Sequence, residues 1–148
     1  MITTVRDLLR MKEGALYFVS PETSAIDALK YMAEKNIGDV LILEDDNIIG
    51  IVSERDFVRR IAKTSTCELD APVRDYMTRD VITVEPSQSI EECMAIMTEQ
   101  HIRHLPVLED DIPIGMISIG DVIKGIMISQ EFTIDQMQKY IGGEGYNQ

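Results

Sequence analysis

The chain has 148 residues, enough for one compact domain, and its 45% hydrophobic and 27% charged residues are those of a globular protein rather than a disordered one. Against 26 Asp and Glu it carries 14 Lys and Arg, a formal charge of -12, which excludes a broad phosphate-binding face and with it nucleic-acid polymers as partners. No apolar run approaches the roughly 20 residues of a membrane helix, and Met1–Asp7 lacks the basic and apolar regions of a signal peptide. Cys67 and Cys93 are too few for a disulfide framework and fit a reducing compartment, so the expected location is cytoplasmic, away from membranes.

Taken in chain order, the first element is a lead-in containing Val5-Arg6-Asp7, followed by a short strand ending near Val19 and a turn opened by Pro21. Ser24 and Asp27 form a capping box for a helix whose apolar positions are Ala25, Ala28, Leu29 and Met32. Val40–Leu43 reads as a buried strand, Asp45-Asp46 as a solvated hairpin turn, and Ile48–Val52 as the return strand. A closing helix starts at Ser53, and Ala62–Asp70 is a polar linker. The whole series then recurs: Val73-Arg74-Asp75 leads in, a strand ends near Val84, and Ser89 with Glu92 caps a helix bearing Ile90, Cys93, Met94 and Met97. Leu105–Leu108 and Ile114–Ile117 are its strands, Asp110-Asp111 its turn, and Ser118 its last cap. The methionines at helical spacing are assigned to the core.

Phe18–Ile61 lies over Thr83–Ile126 without a gap, with identities that include Pro21/Pro86, Ser24/Ser89, Met32/Met97, Leu43–Asp46/Leu108–Asp111, Ile49-Gly50/Ile114-Gly115, Ser53/Ser118 and Asp56/Asp121. The chain is a tandem duplication. A unit of about 60 residues is marginal alone, so the expected fold is mixed α/β (α+β), with two β-α-β-β-α repeats sharing one core about a pseudo-twofold axis. The boundaries read as 1–66 for the first repeat with its lead-in, 67–127 for the second, and 128–148 for a C-terminal helix and tail. In the tail, Ile134, Met137, Tyr140 and Ile141 form one helical stripe that is expected to pack on the module or on a second subunit, with Gly142-Gly143 as its stop.

Both repeats place the form Gly-h-h-Ser-x-x-Asp, where h is apolar, at a strand-to-helix junction: Gly50–Asp56 and Gly115–Asp121. As local structure, Ser-x-x-Asp is sufficient as a capping box. As chemistry, helix N-terminal amides and a serine hydroxyl suit a phosphate, and an acceptor-only carboxylate suits a ribose diol. A glycine at the strand end leaves room for a flat base against the backbone. Arg103 and Lys124 are the only Lys or Arg between residues 83 and 126, so Arg103 beside His104 is a local exception in a negative field, as a small phosphate site requires. His101 and His104 without a nearby cysteine make a poor ligand set, and no metal site is assigned.

The duplicated pattern, the Gly-h-h-Ser-x-x-Asp signature and Ile102-Arg103-His104-Leu105-Pro106-Val107 resemble a pair of CBS (cystathionine β-synthase-type) domains across residues 1–127, most nearly the stand-alone two-repeat proteins. The resemblance implies a regulatory, ligand-sensing module that is not an enzyme and needs no cofactor. Its clefts between the repeats take adenosyl ligands such as AMP, ADP, ATP, NAD or S-adenosylmethionine. It implies ribose contacts at Asp56 and Asp121, phosphate contacts at Ser53 and Ser118, and a basic pair, Arg103 and His104, joining Asp56 in one cleft. Tyr17 and Thr83 are implied in the base pockets. A homodimer and a regulated partner enzyme are the implied partners. The alternative is a non-catalytic adaptor with vestigial clefts that acts by contact. Repeat 1 departs from the pattern: Gly38-Asp39 replaces the basic pair, an acid that disfavours phosphate unless Arg55, Arg59 or Lys124 offsets it, so unequal sites are expected.

Overall fold

The computed structural model describes residues 1–12 and 16–142. In chain order the elements are α1 (Val5–Met11), β1 (Phe18–Val19), α2 (Ala25–Lys35), β2 (Asp39–Glu44), β3 (Asn47–Ser53), α3 (Glu54–Thr64), one 3-10 turn (Val73–Asp75), α4 (Ile90–Gln100), β4 (His104–Glu109), β5 (Ile112–Ser118) and α5 (Ile119–Gly142). Each repeat follows the β-α-β-β-α order read from the sequence. Ahead of α4 the first strand is reduced to a parallel bridge from Val84 to Val107.

Local chemistry explains the boundaries. The Ser24 and Ser89 hydroxyls accept the amides of Asp27 and Glu92 at 3.2 and 3.1 Å, relieving orphan donors in the first turns of α2 and α4. Only this half of the expected box forms there, whereas both halves form at Thr4–Asp7 and Ser53–Asp56. The Thr3 and Thr4 amides donate to the Asp7 carboxylate and pull its pKa down to about 2. Left-handed residues end both helices, Asn36 and His101 each at φ 55°, which gives His101 a structural place. The acidic pairs are the tips of the hairpins: Asp45 and Asp46, like Asp110 and Asp111, have φ of 51° and 64°. Two left-handed central residues match the twist of the flanking strands, and Asp tolerates that region.

Contacts divide the chain into two compact units: Leu16–Ile82 with Asp111–Pro113, and Met1–Ala15 with Thr83–Asp110 and Ile114–Gln148. In the unit of Leu16–Ile82, β1 runs parallel to β2 and β2 antiparallel to β3, with an irregularity between Ile42 and Leu43. Its core joins Ala25, Ala28, Met32 and Phe57 of the helices to Val40, Ile42 and Val52 of the strands, and adds Val73 and Tyr76 from beyond the linker. That linker is shorter than expected because α3 runs on to Thr64, and Glu68–Ala71 is tied to its own repeat. The Glu68 carbonyl accepts from the Tyr76 hydroxyl at 2.8 Å, and the Ala71 carbonyl accepts from Ala25 N at 2.8 Å.

The unit of α1, α4, β4, β5 and α5 repeats this core position by position. Ile90, Cys93, Met97, Leu105, Val107, Ile117 and Val122 are buried at the places of Ala25, Ala28, Met32, Val40, Ile42, Val52 and Phe57. The counterparts of Val73 and Tyr76 are Val5 and Leu8, which come from the lead-in ahead of the other repeat. The backbone agrees: Val5 N bonds Gln88 O and Ile90 N bonds Thr3 O, just as Val73 N bonds Thr23 O and Ala25 N bonds Ala71 O. The reading of 1–66 as one repeat with its own lead-in therefore differs from the contacts, which place Met1–Ala15 with the second repeat. Each unit completes its core with residues of the lead-in that precedes the other repeat.

The tail also differs from expectation. Residues 128–142 are no separate helix but the continuation of α5, which runs unbroken from Ile119. Ile134, Met137, Tyr140 and Ile141 are 54%, 60%, 81% and 66% exposed, so the stripe does not pack within the described chain. Met32 and Met97 are in the core as expected, whereas Met127 and Met137 are exposed. Gly143, half of the expected stop, lies outside the described residues.

The two thiols have opposite surroundings. Burial, with the charge of Glu92 added, pushes the Cys93 thiol up to about 11, while Cys67 is exposed. Since the thiolate is the reactive form, iodoacetamide at pH 8 is expected to alkylate Cys67 in the folded chain and both cysteines after denaturation. Mass spectrometry reads the count, and rapid labelling of Cys93 in the folded chain overturns this burial.

Candidate functional site

Each unit carries one of the two Ser-x-x-Asp junctions, and the two are built alike but finished differently. In the unit of Leu16–Ile82, β3 ends at Ser53, whose extended backbone (φ -120°, ψ 165°) turns the chain into α3. Asp56 N donates to Ser53 Oγ at 3.3 Å, and Ser53 N and Oγ donate to Asp56 Oδ2 at 2.8 and 3.1 Å. The second carboxylate oxygen, Oδ1, accepts from the Thr78 hydroxyl at 3.0 Å. Thr78 is held by two backbone bonds to Ile51, of 2.8 and 3.0 Å, which extend the sheet past β3. The junction leans on the entry to β2, where Glu54 N donates to Gly38 O at 3.0 Å and Asp39 pairs in register with Ser53. Asp39 is the buried carboxylate of this unit, 7% exposed.

In the other unit Ser118 N donates to Asp121 Oδ2 at 2.8 Å, and Asp121 N donates to Ser118 Oγ at 3.1 Å. Here a charge takes the place of the threonine. Lys12 Nζ donates to Asp121 Oδ2 at 2.9 Å and to Met116 O at 2.9 Å. Burial raises the Asp121 pKa, but the Ser118 amide and the Lys12 ammonium together outweigh it and hold the carboxyl below its ordinary value. Arg103 adjoins this junction through its backbone, its carbonyl accepting Ile119 N at 2.8 Å, and His104 follows as the first residue of β4.

The other expected residues fall as follows. Tyr17 is half-buried at the head of β1, its carbonyl accepting Leu41 N at 3.3 Å and its ring edge-on to Tyr31 at 6.2 Å. Thr83 precedes Val84, whose amide and carbonyl bond Pro106 O and Leu108 N beside β4. Arg55 is exposed on the first turn of α3. Thr78 and Lys12 were missed by the sequence reading. The lead-in echo aligns Leu9 with Met77 but sets Lys12 against Asp80 and Thr78 against Arg10, so it carried no signal for either.

Two chemical expectations change. The space over Gly50 and Gly115 is filled: a Cβ on Gly50 would lie 2.4 Å from Met77 Sδ and 3.1 Å from Thr78 O, and one on Gly115 would lie 2.8 Å from Leu9 Cδ2. These glycines admit the lead-in, so they do not lay the backbone open to a flat base. Likewise Glu54 N and Asp56 N, and Ile119 N and Asp121 N, already have protein acceptors. An anion at these junctions would therefore find two amides of each first turn already taken.

Comparison with known proteins follows the same duplication. The CBS domain family matches residues 5–63 and 73–128. The chain is 32% identical to the mitochondrial CBS domain-containing protein CBSX3 of Arabidopsis thaliana, over 97% of this chain and 74% of that protein. Its structure matches a protein with CBS domains from Burkholderia ambifaria with a TM-score of 0.82 and 45% identity, covering 89% of this chain and 99% of the other. It also matches CBSX2 solved in complex with AMP, with a TM-score of 0.71 and 27% identity, covering 86% of this chain and 98% of that one. With two matched repeats spanning most of its length, the chain belongs to the CBS domain family.

Proposed function

We propose that the protein is a non-catalytic regulatory module that binds an adenosyl nucleotide, with AMP the first candidate. Most support comes from CBSX2, a family member of near-complete overlap that was solved with AMP. The duplicated junctions supply a chemistry that fits: Asp56 and Asp121 present carboxylate oxygens suited to ribose hydroxyls, and Ser53 and Ser118 lie one helical turn away. Arg55, Arg103 and His104 are the proposed phosphate contacts, and Tyr17 and Thr83 the proposed base contacts. ADP, ATP, NAD and S-adenosylmethionine are the competing ligands. The module works in a reducing compartment such as the cytosol, as a homodimer whose shape or affinity for a regulated enzyme shifts with ligand. Such a shift requires unequal affinity for two states.

Thermal unfolding with each ligand tests this reading. A ligand at a hundredfold excess over its dissociation constant stabilises by about 2.7 kcal/mol, a clear rise in Tm. With no Trp and five Tyr the chain absorbs weakly at 280 nm, so a co-purified adenine nucleotide is expected to raise the 260/280 ratio sharply. A low ratio together with no shift from any of the five ligands overturns nucleotide sensing and leaves the adaptor reading.

A further inference from the structure

The unit of Leu16–Ile82 has an oxidisable side chain at a joint whose counterpart in the other unit is inert. Met77 lies half-buried against the core of its unit. Its Sδ covers Gly50 so closely that a Cβ there would lie 2.4 Å from the sulfur and 3.0 Å from Cγ. In the other unit Leu9 covers Gly115 in the same way, its Cδ2 lying 2.8 Å from such a Cβ. A thioether packs as an apolar group but takes up oxygen from a peroxide, which leucine does not. Met77 is also one residue away from the clamp on Asp56. Its own amide donates to Val73 O at 3.1 Å. The next residue, Thr78, exchanges two backbone bonds with Ile51 and donates its hydroxyl to Asp56 Oδ1 at 3.0 Å. Met77 thus ties the buried turn of Val73 and Tyr76 to the residue that holds the carboxylate.

We infer that Met77 is a peroxide-sensitive modification site that governs the clamp on Asp56. The thioether sulfur attacks the peroxide and the O–O bond breaks. One oxygen stays on sulfur as the sulfoxide and the other leaves as water, so sulfur is oxidised and the peroxide reduced. A sulfoxide oxygen turned inward needs a donor. Beside Gly50 it meets instead the Thr78 carbonyl, an acceptor 3.1 Å from the Cβ position. The oxidised side chain therefore leaves Gly50 for solvent, and Thr78, joined to it by one peptide bond, is drawn away from Ile51 and Asp56. Reduction of the sulfoxide restores the contact. The consequence for binding rests on the proposed function: with Oδ1 no longer held, the ribose carboxylate is less preorganised and affinity falls. The junction of Ser118 and Asp121, with Leu9 in the matching place, does not respond.

Hydrogen peroxide on the full chain tests it, with mass spectrometry mapping the sulfoxides. Met77 is expected to gain one oxygen while Met32 and Met97, each 2% exposed, resist. The exposed Met1, Met11, Met127 and Met137 oxidise as well, so the control is Met77→Leu, which places here the residue type that covers Gly115. In the oxidised wild type without ligand, amide exchange read by NMR is expected to quicken about fivefold or more at Ile51 and Thr78. Its affinity for AMP, read by titration, is expected to fall about three- to tenfold. Oxidised Met77→Leu is expected to show neither change, and methionine sulfoxide reductase is expected to reverse both in the wild type. A Met77 that stays reduced while Met127 and Met137 oxidise, unchanged exchange at Thr78, unchanged AMP affinity, or equal responses in Met77→Leu overturns the inference. Absence of AMP binding before oxidation overturns the proposed function instead, and exchange at Ile51 and Thr78 still decides the clamp.

Discussion

Leu8→Ala is expected to destabilise the protein by about 2–5 kcal/mol, the range for truncating a buried leucine, and to loosen the repeat farther from it in sequence. Leu8 is 3% exposed and stands where the other unit has Tyr76. Its Cδ2 fills the space over Gly125 of α5, where a Cβ would lie 2.6 Å away. Its helix is bolted to the start of α4 by Val5 N to Gln88 O and Ile90 N to Thr3 O, at 2.9 and 3.0 Å. Amide hydrogen exchange on the folded variant separates the alternatives, because local openings report the unit that has lost contacts. Faster exchange is expected in α4, β4, β5 and α5, with α2, β2 and β3 little changed. Loss of protection concentrated in α2, β2 and β3 would mean that the lead-in serves the repeat it precedes.

That exchange of lead-ins is what one-dimensional reading could not see. Alternation, capping residues and hairpin turns are local signals, and they located β2 and β3 and the starts of α2 and α4 to within a residue or two. Which repeat a lead-in joins depends on contacts between Val5 or Leu8 and residues some eighty or more positions away, and hydrophobic pattern does not specify the partner of an amphipathic turn. The echo of Val5-Arg6-Asp7 in Val73-Arg74-Asp75 showed that a lead-in exists but was too short to show where it docks. The continuity of α5 was hidden for a related reason. Gly120 and Gly125 weaken a helix by propensity, but Gly125 lies under Leu8 and Ile2, and that close approach compensates for the lost propensity.

The site was legible in the same measure. Ser53 with Asp56 and Ser118 with Asp121 were readable because the capping box and the candidate site use the same four residues. Lys12 and Thr78 were not, since each reaches its carboxylate only after the lead-in has docked. Their difference puts a physical cause beside the expected inequality of the repeats. A neutral hydroxyl meets Asp56 and an ammonium meets Asp121, so one carboxylate keeps its net charge for a ligand while the other is already matched.

For a ligand held through its ribose, Asp56→Ala is therefore expected to cost far more than Asp121→Ala. Losing hydrogen bonds to a charged acceptor costs about 1.5–3 kcal/mol, or about 10- to 100-fold in affinity. That full loss is expected at Asp56, whose hydrogen-bond donors among the described residues are neutral. At Asp121 the Lys12 ammonium already matches the carboxylate's charge through Oδ2, so a diol on the other oxygen gains less from it and truncation to alanine removes less. Lys12→Met tests the cause. In that background Asp121→Ala is expected to cost more than it does in the wild type, a coupling that a double-mutant cycle isolates. Isothermal titration with AMP reads all four variants. Equal losses from the two aspartates would remove the asymmetry, and unequal losses that ignore Lys12 would move its cause away from the ion pair.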